Sequence, residues 1–303
     1  GAEIIRLWVS AEDYREDMRL SQEIINRLME AYRKIRNTAR FLLGNIYDFD
    51  LKDWSSHLLE IDRWAMSRLQ NLIIKVTESY ERFEFHQVFH SIYTFCVNDM
   101  SAFYLDILKD RLYTFRADSP ERRAAQWVLY NIVSVMTRLL APVLSFTAEE
   151  IWMHMPGKKN ISVFLAEFPE PDEKFLDREI EERWQRLIAV RDEVNKALEI
   201  KRKEKFIGNS LEARVILYVP SEYQELLSKY REFLPYLFIV SQVELRTDKD
   251  KKGFFESEEI KTLSIDIERA EGKKCERCWN WSPSVGRFEE HPSICERCYN
   301  VLR

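Results

Sequence analysis

The sequence predicts a mainly α protein, an antiparallel helical bundle followed by a small mixed α/β domain and a cysteine-rich knuckle. Three observations carry that prediction. Gly (7) and Pro (9) are scarce in 303 residues, so turns are few and helices long. Apolar residues recur at spacings of three and four through most of the first half. Beyond Pro171 the texture changes to β-branched runs, and four cysteines follow near the end of the chain.

In order along the chain, Ser21 caps a helix whose residues Ile24, Leu28, Tyr32, Ile35, Ala39, Leu42 and Ile46 form one buried stripe. Gly44 and Asn45 mark its fraying end. A second face of the same helix carries Arg33, Arg36 and Arg40, and such a face is most often simply solvated. Helices follow in "SHLLEIDRWAMSRLQNLIIKVTESY" and "FHQVFHSIYTFCVNDMSAFYLDILKDRLYT". Ser119 as N-cap, Pro120 at the first helical position and Glu121 against the dipole open the next helix, and Pro142 ends or kinks it. In "SFTAEEIW", Thr147 and Glu150 have the spacing of a capping box, with Phe146 stapled against Ile151. Five or six long helices with short links describe a bundle. A further helix, "EIEERWQRLIAVRDEVNKALEIKRKEK", then leads into strands expected in "ARVILYVPS", "LFIVSQVEL" and "KTLSIDIERA".

Composition bounds the function classes. Hydrophobic residues at 46% and charged residues at 32% are ordinary for a globular chain. No apolar run approaches the roughly 18 residues of a membrane span, and no signal peptide is visible. The chain opens on an amphipathic fragment, "GAEIIRLWVS", without an initiator Met, which reads as an excised piece. A net charge of −5 requires any nucleic-acid partner to be held by local basic stripes.

The knuckle is the strongest local signal. "KCERCWNWSPSVGRFEEHPSICERCYN" holds Cys275, Cys278, Cys295 and Cys298 in two CxxC pairs, with sixteen residues between Cys278 and Cys295. Each pair turns two thiolates to one side of a tight loop, and together they make a closed tetrahedral Zn²⁺ site. With no open position for water, that one ion is structural. Cys pairs used this way, with Cys96 alone in an apolar stretch, point to a reducing, cytoplasmic setting. His291 is read as a loop residue beside four sufficient thiols. Trp279 and Trp281 flank the site together with Arg277; aromatic rings beside an arginine suit the stacking of unpaired bases, although Trp281, before a Ser-Pro turn, is equally suited to packing.

Elsewhere "HQVFH" sets His86 and His90 at i, i+4, but Gln87 stands where a metalloprotease needs its acid. Phosphate loops, GxSxG elbows and Walker motifs do not occur, so no catalytic residues are assigned.

Against that background "RLWVSAEDYREDMRLS", "YRKIRNTARFLLGN", "FCVNDMSAFYLDILKDRLYT", "RLLAPVLSFTAEEIW" and "CERCWNW…CERCYN" resemble the post-catalytic region of bacterial-type class I isoleucyl-tRNA synthetases, from end to end. The resemblance implies a stem-contact segment at 1–20, a helical anticodon-binding bundle at 21–170, a mixed α/β junction domain at 171–269 and a zinc-binding tail at 270–303. It implies that the chain grips tRNA(Ile) for catalytic and editing domains joined in cis, or in trans if naturally split. The HIGH and KMSKS signatures are absent here, so ATP and Mg²⁺ would act only in that missing part. It implies a tRNA-backbone role for Arg33, Arg36 and Arg40, sets Arg19 near the stem-contact region, and matches Arg277 and Trp279 to the CxRCW positions at the anticodon end, where Trp279 is expected to stack on a splayed loop base and Arg277 to meet a phosphate or base edge. Two rivals remain at this stage: a free-standing tRNA-binding protein acting in trans, and a DNA glycosylase with a similar finger. The latter would need an N-terminal proline nucleophile, and this chain begins with Gly1.

Overall fold

The computed structural model describes residues 1–247 and 253–303. Two compact units emerge, one of Gly1–Leu112 with Ala117–Glu181, the other of Tyr113–Arg116 with Glu182–Arg303. The mixed domain and the cysteine-bearing tail therefore fold within one unit.

The first unit is helical: α1 (Ala2–Ala11), α2 (Gln22–Asn45), α3 (Glu60–Glu81), α4 (Phe85–Thr94), α5 (Leu105–Thr114, whose last two residues belong to the second unit), α6 (Pro120–Leu140) and α7 (Ser145–His154). In α2 the Ser21 hydroxyl accepts from the Ile24 N–H at 3.2 Å, and Leu28, Ile35, Ala39, Leu42 and Ile46 are buried along the expected stripe. Ile24 and Tyr32, nearer the helix start, are only half-buried. Ser119 likewise accepts from the Arg122 N–H at 3.3 Å, with Pro120 opening α6. Helix α6 buries the stripe Ala125, Val128, Leu129, Ile132, Val133, Met136 and Leu139 and, on its flanks, Ala124, Val135, Gln126 and Thr137, more than one face, as befits a central helix. It stops two residues before Pro142, whose ring and missing N–H prevent continuation.

Between α4 and α5 the backbone stays helical but widens into a π-helical stretch, Phe95–Tyr104. Cys96, Met100, Phe103 and Tyr104 are buried along it. Beneath this stretch lies an ionic hub. Asp62, completely buried in the first turn of α3, accepts from the Leu59 N–H at 3.0 Å, closing the helix start. Its carboxylate also accepts from Tyr104 Oη at 2.7 Å and from both terminal nitrogens of Arg111, Nη1 at 2.8 Å. Three segments are thereby tied to one buried charge.

The capping box expected at Thr147 does not form. Helix α7 starts at Ser145, so Thr147 is already inside its first turn. Its cap comes from α1: the Glu3 carboxylate accepts from the Phe146 N–H at 2.9 Å and the Thr147 hydroxyl at 3.3 Å. A carboxylate at the positive helix end does the same electrostatic work as a local cap. Glu150 turns instead to Arg36, and Phe146 is exposed rather than stapled.

Helix α8 (Arg178–Lys203) enters the second unit and buries Trp184, Leu187, Val190, Val194, Ala197 and Leu198 on one stripe. The sheet has the order β2-β1-β4-β3. Strand β1 (Ala213–Tyr218) runs parallel to β2 (Gln242–Arg246) and antiparallel to β4 (Ser264–Arg269), which pairs with the short β3 (Phe255–Glu256). A parallel pair needs a crossover, here built from α9 (Ser221–Lys229) and α10 (Leu234–Phe238). For that reason the strand expected through "LFIVSQVEL" begins late. Leu237 and Phe238 complete α10, Ile239 takes a left-handed φ of 55°, and pairing starts at Gln242. The chain finishes with a hairpin, β5 (Lys273–Lys274) and β6 (Trp281–Ser282), and helix α11 (Glu296–Leu302).

Candidate zinc centre and nucleic-acid surface

The knuckle is built on the β5–β6 hairpin, in which Lys273 faces Ser282 and Lys274 faces Trp281. Gly272 enters it with φ +93°, and a Cβ there would stand 2.2 Å from the Ser282 carbonyl carbon. Only glycine fits. Across the hairpin end the Cys275 N–H donates to the Asn280 carbonyl at 2.9 Å, and the Trp279 N–H donates to the Cys275 carbonyl at 2.9 Å. This tight turn faces Cys275 and Cys278 inward. The second pair comes from α11, with Cys295 as its N-cap and Cys298 in its first turn.

All four Sγ atoms lie within 4.8 Å of one another and all four cysteines are buried. The Cys278 and Cys295 sulfurs are 3.7 Å apart. A tetrahedron with Zn–S bonds near ~2.3 Å has sulfur–sulfur edges of about 3.8 Å. The donor set and its spacing therefore fit a structural zinc ion held by Cys275, Cys278, Cys295 and Cys298. Two N–H groups soften the thiolate charge: the Cys295 amide points at Cys275 Sγ (3.3 Å) and Arg277 Nη1 at Cys298 Sγ (3.6 Å). Ile294, Val285 and Tyr299 pack around the site. His291 lies 6.2 Å from the Tyr299 ring, edge-on, outside the sulfur cluster.

Within the second unit the knuckle is tied down. The Trp281 N–H donates to Ser241 Oγ at 2.7 Å, and Arg297 sits over the Tyr236 ring with Nη1 3.3 Å from its hydroxyl. Arg277 Nη1 also donates to the Thr114 carbonyl.

The two tryptophans diverge. Trp281 is half-buried and locked into the hairpin ladder. Trp279 is 61% exposed, with the Lys274 ammonium 5.5 Å from its ring centroid. Its φ of +66° is a left-handed conformation that bulky residues avoid at a cost of about 1–2 kcal/mol. Thus the backbone is strained at the position where the indole projects into water. Lys274 stands in the "KKC" run immediately before the first thiol, a cation that the CxxC spacing by itself does not single out.

The remaining candidates lie on the first unit. Arg33 is exposed and paired with Glu30 on its own helix. Arg36 makes two bonds to Glu150, at 2.7 and 2.8 Å. Those bonds, and the Tyr32 hydroxyl, push the Arg36 guanidinium pKa up, and the same pairing holds the Glu150 carboxyl below its usual value. Arg40, also exposed, makes no ion pair among the described residues. Arg19 is exposed, and its carbonyl accepts from Trp8 Nε1 at 3.1 Å. Arg33, Arg36 and Arg40 share one helix face, whereas Arg277 stands beside the cysteine cluster. His86 is half-buried and His90 exposed, and among the described residues only the four cysteines form a metal-competent group.

Comparison with known proteins gives two family matches. Residues 62–217 match the family described as "Anticodon-binding domain of tRNA ligase", and residues 272–301 match "Zinc finger found in FPG and IleRS". An isoleucine–tRNA ligase of Syntrophotalea carbinolica is 52% identical across 100% of this chain, and one of Caldanaerobacter subterraneus is 50% identical across 98%. The matched segment is 33% of each relative, so the chain spans a third of their length. Among solved structures, a LeuRS-tRNA-LeuAMS ternary complex from Agrobacterium radiobacter aligns with TM-score 0.44 and 18% identity, over 58% of this chain and 20% of that one.

Proposed function

The chain belongs to the tRNA-ligase family that shares the anticodon-binding domain, and from that premise we propose that it is the tRNA-holding part of an isoleucyl-tRNA synthetase. The whole enzyme would join isoleucine to tRNA(Ile) in the cytoplasm with ATP and Mg²⁺, through catalytic and editing domains outside this sequence.

The division of labour follows from the chemistry of each surface. Zinc closed by four thiolates activates no water; it supplies the folding energy that so short a segment lacks, about 10–16 kcal/mol in small zinc modules. Its product is a stiff tip. Trp279 offers an indole face to an unstacked anticodon-loop base, and Lys274 stands beside that ring with a charge for the adjoining phosphate. Arg277 uses Nη1 within the protein, leaving Nε and Nη2 for a phosphate or base edge.

Basic residues barely outnumber acidic ones after Arg269, so the tip contributes discrimination more than attraction. Attraction is assigned to the bundle. Arg40 can meet a phosphate directly, whereas Arg33 and Arg36 must exchange Glu30 and Glu150 for one. Arg19 serves the stem-contact segment.

The observation that carries the reading is the exposed, backbone-strained Trp279 between zinc ligands. The finger alone would also suit a glycosylase, since its family spans both kinds of protein; the helical match over residues 62–217 favours the synthetase. Equilibrium binding to tRNA(Ile) and tRNA(Val) tests the assignment. Tighter binding of tRNA(Ile) is expected, and equal affinity or a preference for tRNA(Val) overturns it.

A further inference from the structure

Arg277 sits within the first CxxC turn, and one of its nitrogens serves two acceptors that are far apart in sequence. Nη1 donates to the Thr114 carbonyl and stands 3.6 Å from Cys298 Sγ. A terminal guanidinium nitrogen carries two hydrogens, so both contacts are made together. Thr114 is the last residue of α5, and Tyr113–Arg116 belong to the same compact unit as the knuckle.

The end of α5 needs such a donor. The last four carbonyls of a helix have no N–H partner within it, and a buried one must find its partner elsewhere. Thr114 is buried, at 8% exposure. Two residues earlier the Leu112 carbonyl accepts from Arg122 Nε at 3.1 Å, and the Arg111 side chain is bound to Asp62. Those anchors hold the helix as far as Leu112. Beyond it, Arg277 brings a full positive charge to the negative end of the helix dipole.

The plain reading is that Arg277 helps to pin the knuckle in place. Trp281 on Ser241 and Arg297 on Tyr236 do that as well. Pinning alone leaves unexplained why a single nitrogen is shared between a helix carbonyl and a sulfur of the metal site. A zinc ion on four thiolates leaves about two negative charges at the sulfurs, which draw the guanidinium in. Metal binding also fixes Cys275 and Cys278, and with them the backbone on either side of Arg277.

We propose that Arg277 couples metal occupancy of the knuckle to closure of the α5 end at Thr114, so that each strengthens the other. Linkage is reciprocal: the metal tightens the helix end by the same factor as the closed helix end tightens the metal. This coupling is separate from the tRNA-holding role, and it leaves Nε and Nη2 for the contact proposed above.

Hydrogen exchange read by mass spectrometry, on the full chain with zinc bound and after chelation, tests the coupling without RNA. Chelation of the wild-type protein speeds exchange across residues 113–117 about ten-fold or more, the loss of a hydrogen bond to a charged group. Exchange up to Leu112, held by Arg122, stays slow. Zinc-loaded Arg277→Ala shows the same local acceleration, and chelating it adds little more there. Its zinc affinity, read by competition with a chelator, falls about 10- to 100-fold. Arg287→Ala removes an exposed cation of the same knuckle and matches the wild type in both measurements. Three results overturn the coupling. One is unchanged exchange at 113–117 when wild-type protein loses zinc, a comparison that needs no variant. Another is wild-type zinc affinity in Arg277→Ala. The third is an acceleration on chelation as large in Arg277→Ala as in the wild type, which assigns the helix end to other packing. An Arg277→Ala protein that binds tRNA(Ile) weakly but keeps wild-type zinc affinity and exchange also overturns the coupling, while sparing the tRNA-holding role.

Discussion

Replacing Trp279 with Ala removes the one large ring that the zinc knuckle turns into solvent. Its effect on stability is bounded by the structure. Most of the side chain is already in water, and the Lys274 contact over the ring is worth about 0.5–1 kcal/mol at an exposed site. The left-handed backbone remains strained with Ala and is relieved only by Trp279→Gly, which recovers about 1–2 kcal/mol before the flexibility of glycine in the unfolded chain offsets part of it. Against metal binding worth about 10–16 kcal/mol, neither change empties the site. Stacking on a base is worth about 1–3 kcal/mol, so both variants bind tRNA(Ile) about 5- to 140-fold more weakly. Fluorescence anisotropy with labelled tRNA, alongside metal analysis of the same samples, reads both quantities. Trp279→Phe retains most of the affinity. A zinc-replete Trp279→Ala protein with wild-type affinity refutes the stacking role, and a variant that loses both zinc and affinity shows the ring to be structural.

Other expectations follow from single contacts. Asp62→Ala strands the Arg111 guanidinium inside the bundle, which costs about 3–5 kcal/mol in urea unfolding; a loss below about 1 kcal/mol contradicts the hub. The Asp48 carboxyl is pushed up by burial, but its bonds from Arg122 and Gln126 and the charges of Arg122 and Arg123 outweigh that and hold it below its ordinary value. A depressed folded pKa gives stability that is present above the unfolded value near ~3.9 and is lost as pH falls through the folded one. The stability gap between wild type and Asp48→Asn should therefore hold at neutral pH and close below about pH 4, and a gap constant down to about pH 2 excludes the linkage. Arg40→Ala should lower the salt slope of tRNA binding by about 0.9 without moving the melting temperature, and an unchanged slope removes Arg40 from the interface.

What was readable in the sequence, and what was not, divides by the range of the interactions. The Ser21 and Ser119 caps and the Leu28–Ile46 stripe depend on residues three or four apart, and they are where the spacing puts them. Cys275, Cys278, Cys295 and Cys298 were legible because zinc fixes the distances between its own ligands. The α7 cap was not, since its carboxylate comes from Glu3, more than a hundred residues away. A local Thr147–Glu150 spacing loses to that contact. The late start of β2 has a similar origin: "LFIVSQVEL" has strand-like residues throughout, but the parallel pairing with β1 assigns the first of them to the crossover. The different fates of Trp279 and Trp281, two residues apart, were undecided until the hairpin register placed only Trp281 in the ladder.

In the proposed role, four sulfurs and one zinc ion build the surface that reads tRNA. Its most direct test is the tRNA(Ile) dissociation constant of one protein preparation before and after zinc withdrawal, with far-UV circular dichroism confirming that the helical bundle persists. Withdrawal should leave the bundle folded, weaken tRNA(Ile) binding at least as much as Trp279→Ala does, and erase its advantage over tRNA(Val), with zinc restoring both. Full affinity and full discrimination in the metal-free protein would contradict the account.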